Sequence, residues 1–160
     1  MQGRMIRAEI LGDFSEADRL RDLLREDDSD LEVLSCAFVA AVRRRFEGIG
    51  DLREVAGFVA KLGAVLGADV PRRETEALVR VVMGEGHLLD SVEAEAAGTA
   101  IWAVLLGVVK DLELSSTDVD SLILEAEWYA EMIDQLGALD VLRSTSSEVH
   151  PAWWRLPHSW

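Results

Sequence analysis

Between Glu95 and Lys110 the chain runs for fourteen residues, AAGTAIWAVLLGVV from Ala96 to Val109, without a single charge. As a helix this run is about 21 Å long, whereas a bilayer core needs about 30 Å. It is therefore read as a helix enclosed by protein rather than by lipid. A helix apolar on every side needs a surrounding layer of neighbours, which the remainder of the chain must supply.

The remainder is suited to that task. Apolar residues make up 49% of 160 residues, which is too many for a disordered chain and enough for one core. Only three prolines interrupt a sequence rich in Ala, Leu, Val, Glu and Arg, a composition that favours helix over strand. The lone Cys36, inside LSCAFVAAV, has no partner for an internal disulfide and is read as a buried, inert thiol. With no apolar h-region in MQGRMIRAEILGDFSEADR, a cytoplasmic location is expected.

Helical spacing and caps predict six helices. The first starts at Ser15 as cap and carries Ala17, Leu20 and Leu24 on one face. The second covers 31–46, with Leu31, Leu34, Phe38, Val42 and Phe46 aligned, and ends at Gly48 and Gly50. The third opens on a capping-box-like DLRE (Asp51 to Glu54) and runs to Leu66; the fourth opens at Pro71 and closes at Gly84 and Gly86. The fifth starts near Asp90 or Ser91 and carries the uncharged run to Leu112. The sixth is capped within SSTD (Ser115 to Asp118) and stops at Gly137. MIRAEIL is a weak strand candidate. Residues 1–143 are thus expected to form one helical domain, and 144–160 a polar linker with a Trp-rich tail.

Laying residues 58–80 on 102–124 pairs Leu62 with Leu106, Gly63 with Gly107, Val65 with Val109 and Leu78 with Leu122, while Phe58 meets Trp102. This suggests an all-α compact bundle built around two related helical hairpins, about 52–84 and 92–136, with Gly63 and Gly107 at equivalent helix crossings.

Patterns that carry catalysis or metal chemistry are missing. His87, His150 and His158 occur in no HExxH or ExxH spacing, and a single cysteine cannot complete a zinc site. Neither GxGxxG, GxxxxGK[ST] nor GxSxG occurs. Glu127, Glu131 and Asp134 recur as an outward polar stripe. No catalytic residue, cofactor or metal is therefore expected. LGADVPRRETEALVR superficially resembles a helix-turn-helix, but the positions that should be apolar are Arg73 and Glu76. Arg43 to Arg45, Arg72, Arg73 and Arg80 could meet phosphates, yet residues 81–160 hold fourteen acidic and three basic side chains. Nucleic acid and anionic membranes are therefore poor partners, whereas a basic protein surface is attracted.

The sixth helix has two apolar faces. Val119, Leu122, Ile123, Ala126, Ala130, Ile133 and Leu136 suffice for a core stripe. Leu124, Trp128 and Met132 form a separate line, either sandwiched between layers or at an interface. The ending HPAWWRLPHSW adds Trp153, Trp154, Leu156 and Trp160, with Pro151 and Pro157 preventing a continuous helix. The tail is expected to dock on its own body, on a second copy in a homo-oligomer, or on another protein. The expected function is a non-catalytic acidic interaction or regulatory module, for example an inhibitor or immunity-type protein that covers a basic partner. The alternative is a helical bundle holding a small apolar ligand between hairpins, lined by Phe58 and Trp102. If Leu124, Trp128 and Met132 receive the tail, a chain ending at Ser147 will aggregate more readily and unfold more easily than the full chain. Equal solubility and equal urea midpoints for the two would count against tail docking.

Overall fold

The computed structural model describes residues 1–24, 30–48, 51–66 and 69–141, with 30, 31 and 134–141 as helical backbone alone. Along the chain come α1 (Gln2–Leu11), α2 (Phe14–Leu24), α3 (Asp30–Phe46), α4 (Leu52–Leu66), α5 (Arg72–Val82), a 3-10 segment (Gly86–Ser91), α6 (Ala94–Asp111) and α7 (Ser116–Val141). The described residues contain no strand, so the architecture is an all-α bundle.

Its axis is α3. Every residue from Leu34 to Val42 is buried, and Cys36, Ala37, Ala40 and Ala41 have no exposed surface. Small side chains on several sides let neighbours approach closely, and α1, α5, α6 and α7 all pack against this helix. Helix α6 carries the uncharged run and is buried at Val104, Leu105 and Val108, where it meets α3, α4 and α5. The expectation of a helix enclosed by protein holds. Helix α7 buries Val119, Leu122, Ile123, Ala126, Ala130 and Ile133 against α3 and α1. Near the end of α3, the rings of Phe46 and Phe58 meet edge to face at 5.5 Å, with the Arg45 guanidinium 5.0 Å from the first ring centre.

Several boundaries differ from expectation. MIRAEIL is helical, not extended, because Met5 and Ile6 both point inward, whereas successive strand residues alternate faces. Helix α1 closes on Gly12 at φ 78, where the Asp13 N–H donates to the Ala8 carbonyl at 2.9 Å. That places Asp13, not Ser15, at the head of α2: its carboxylate accepts from the Glu16 N–H at 3.2 Å, and Ser15 sits inside the first turn. Helix α6 starts at Ala94 rather than at Asp90 or Ser91, because the Ser91 hydroxyl donates back to the Leu88 carbonyl at 2.6 Å and the chain then extends through Val92 and Glu93. Helix α7 passes through Gly137 to Val141. A helical glycine costs only about 1 kcal/mol against alanine, too little to end a helix whose next residues favour it.

The two proposed hairpins are not equivalent in packing. Helices α4 and α5 lie against each other, but among the described residues α6 and α7 barely meet, and both pack on α3 instead. Gly107 is buried under Leu62 and Phe58, while its counterpart Gly63 is only half-buried. The two aligned segments therefore do not share equivalent contacts.

The same close approach predicts opposite outcomes for two helical glycines. A Cβ on Gly57 meets nothing within 4 Å, so Gly57→Ala is expected to stabilise by about 1 kcal/mol through helix propensity alone. A Cβ on Gly107 would lie 2.1 Å from Leu62 Cδ2 and 3.2 Å from Phe58 Cζ. Overpacking of this kind costs about 1–3 kcal/mol, so Gly107→Ala is expected to be net destabilising in urea titrations.

Candidate interaction site

Helix α7 is pinned before it presents anything. The Ser115 hydroxyl accepts from the Asp118 N–H at 3.2 Å, and the Asp118 carboxylate accepts from the Ser115 N–H at 2.9 Å. This reciprocal cap is the one expected within SSTD. The Ser115 hydroxyl and N–H together hold the Asp118 carboxyl below its usual range, so the cap weakens as pH falls through that lowered value. Further along, Arg44 of α3 donates to Glu125 at 2.9 Å, to the Ser121 hydroxyl at 3.3 Å and to the Asp118 carbonyl at 3.3 Å. Arg7 of α1 pairs with Asp120.

With its core stripe buried, α7 turns a second apolar line outward. Leu124 is 69% exposed and Trp128 48%, with Met132 half-buried one turn on. Burial between layers is not what the structure shows for Leu124 and Trp128. The Trp128 ring lies 5.2 Å from that of Tyr129, which is itself buried. Carboxylates surround the line: Asp120 and Glu131 are exposed, and Glu125 and Glu127 half-buried. Trp153, Trp154, Leu156 and Trp160 lie outside the described residues, as do His150, His158 and the side chain of Asp134.

Behind this ridge, the ends of α3 and α5 and the middle of α7 enclose a cleft of about 560 Å³, with Arg43, Arg44, Glu47, Glu125 and Tyr129 around a floor that includes Phe46, Val82 and Met83. The Arg43 to Arg45 run is dispersed by helical geometry, since each residue turns about 100° from the last. Arg43 faces the cleft, Arg44 reaches α7, and Arg45 pairs with Asp111 of α6. Arg80 is likewise tied to Glu85 at 2.7 Å. These side chains do not form a continuous phosphate-binding surface.

Comparison with protein-family models, curated proteins and solved structures finds no match.

A second cavity, about 240 Å³ between α4 and α6, is lined by Phe58, Leu62 and Gly107 together with Lys61, Lys110 and Asp111. Trp102, expected beside Phe58 in an apolar pocket, does not line this cavity. No group of three or more His, Cys, Asp or Glu comes together among the described residues in a way that could hold a metal, and His87 is exposed. No helix of the described residues is long and apolar enough to cross a membrane.

Cys36 lies fully buried in α3, and burial, helped by the charge of Glu32, pushes its thiol up to about 12 from 9.0. Because the folded value is the higher one, this contribution to stability is complete below pH 9 and is lost as pH climbs from 9 towards 12. Ellman's reagent at pH 8 is therefore expected to label Cys36 only as fast as the protein unfolds, and Cys36→Ala should flatten the alkaline loss of stability. Labelling at the rate of a free exposed thiol would contradict this.

Proposed function

We propose that the chain is a non-catalytic, cytoplasmic protein-interaction module that docks a basic amphipathic segment of a partner along α7. One observation carries this reading: Leu124 and Trp128 stand exposed one turn apart, on a helix whose other face already completes the core. Tryptophan supplies a large rigid contact at low entropic cost and is enriched among residues that dominate binding energy. Glu127 and Glu131 flank that contact without an ion pair among the described residues, while Asp120 and Glu125 are held by Arg7 and Arg44, so the complementary ligand carries leucine- or aromatic-type side chains beside a lysine or arginine. The net charge of −14 steers such a segment inward from a distance. An inhibitor that covers a basic enzyme surface is one concrete form of this function.

Selection from a random peptide library tests the chemistry, with the Leu124→Ser/Trp128→Ser double variant as counter-selection. The expected winners carry apolar residues at i and i+3 or i+4 with interspersed Lys or Arg. They bind more weakly as salt is raised and lose at least about tenfold in affinity for the double variant. Tighter binding to a chain ending at Ser147 would show that residues 148–160 compete for the same ridge. Winners without basic residues, or with equal affinity for the double variant, would sink the proposal.

A further inference from the structure

The cleft behind the ridge contains an arginine, Arg43, that holds no carboxylate among the described residues. Among the described residues six arginines are half-buried: Arg7, Arg21, Arg43, Arg44, Arg45 and Arg80. Five hold a carboxylate, namely Asp120 for Arg7, Glu9 for Arg21, Glu125 for Arg44, Asp111 for Arg45 and Glu85 for Arg80. Arg43 alone of these makes no ion pair among the described residues, in a chain with thirty carboxylate side chains. A partly shielded guanidinium with no ion pair is free to take an anion by charge-assisted hydrogen bonds.

Its surroundings define what that anion must look like. Phe46, Val82, Met83 and the Tyr129 ring supply an apolar lining, and Gly84, at φ 113, has open space where a Cβ would stand. The volume of about 560 Å³ is that of a small-molecule site. Two carboxylates also line the cleft: Glu125, already held by Arg44, and the exposed Glu47. They repel a dianionic phosphate about twice as strongly as a carboxylate, whose single charge Arg43 can grip by two parallel N–H bonds.

We propose that this cleft binds a small amphipathic carboxylate, its head group on the Arg43 guanidinium and its apolar body along Phe46, Val82, Met83 and Tyr129. The site is separate from the Leu124–Trp128 ridge and does not depend on the docking function.

The test uses the full chain and three probes, octanoate, octan-1-ol and octyl phosphate, followed by calorimetry and by methyl NMR of Val82 and Met83. Octanoate is expected to saturate one site and shift both methyl signals, ahead of the phosphate. Arg43→Gln should weaken octanoate at least about tenfold while leaving octanol unchanged, and Arg43→Lys should retain part of the affinity. Circular dichroism of both variants checks that the helices persist, and Arg43→Lys carries the test if the glutamine variant does not fold. Absence of saturable octanoate binding at about 10 mM would overturn the proposal. Equal binding by wild type and Arg43→Gln, or octyl phosphate as the tighter ligand, would do the same.

Discussion

The bundle depends on one helix that has no outside between Leu34 and Val42. Burying a helix on all sides requires neighbours that come close, and closeness requires small side chains where they cross. Cys36, Ala37, Ala40 and Ala41 meet that need, while Phe38 and Val42 fill the wider gaps. The other helices then have their roles imposed: α1, α5, α6 and α7 each turn an apolar stripe towards α3. The same constraint creates the chemistry at the edge of the core. Where α3 leaves the interior its composition changes abruptly to Arg43, Arg44 and Arg45, and helical rotation sends these cations in three directions. Arg44 fastens α7 and Arg45 fastens α6, while Arg43 faces the cleft beside Arg44 without an ion pair among the described residues.

Burial stripes were legible in the sequence because they are local. Ala17, Leu20 and Leu24 in α2, Leu34, Phe38, Val42 and Phe46 in α3, and the core face of α7 through Ile133 are buried as their spacing implies. The second apolar line on α7 was visible for the same reason, as was the Ser115–Asp118 cap. Boundaries were less so, because they turn on single hydrogen bonds: Asp13 rather than Ser15 heads α2, and Ser91 bonds backwards instead of starting α6. The pairing of helices was least legible of all. Nothing in the spacing of α6 and α7 tells that both prefer α3 to each other. The cleft shares this difficulty, since Arg43, Val82 and Tyr129 lie on three helices far apart in sequence and become neighbours only through α3. One signal did exist: three consecutive arginines on a helix that otherwise reads as core must emerge on different sides.

The exposed ridge and its acidic border solve one problem together. A half-exposed tryptophan beside a leucine invites non-specific association, and a uniformly polar surface would prevent it at the cost of any binding. Carboxylates around Trp128 repel other acidic surfaces, further copies of this chain among them, and under the proposed function leave a basic amphipathic surface as the favoured occupant. Specificity here comes as much from what is repelled as from what is attracted. The high acidity of the whole chain extends that discrimination beyond the first contact.

Area sets the limit on how such a partner can bind. One tryptophan removes roughly 150–250 Å² from water, so the ridge falls well short of the ~800 Å² per partner typical of a stable interface. A tight complex must therefore spread from the ridge across neighbouring surface. On one side lie Glu127 and Glu131 of α7, which reward charge. On the other, across the Trp128–Tyr129 ring pair, lies the cleft that holds Arg43. A partner extending that way would approach the cleft and, on the proposed carboxylate site, would compete with its ligand. Linkage is reciprocal, so a cleft ligand that favoured one placement of the Tyr129 ring would change partner affinity by the same factor as the partner changed its own. If both proposals hold, two faces of the same two turns of α7 carry the docking ridge and the carboxylate cleft, with the Trp128–Tyr129 ring pair between them.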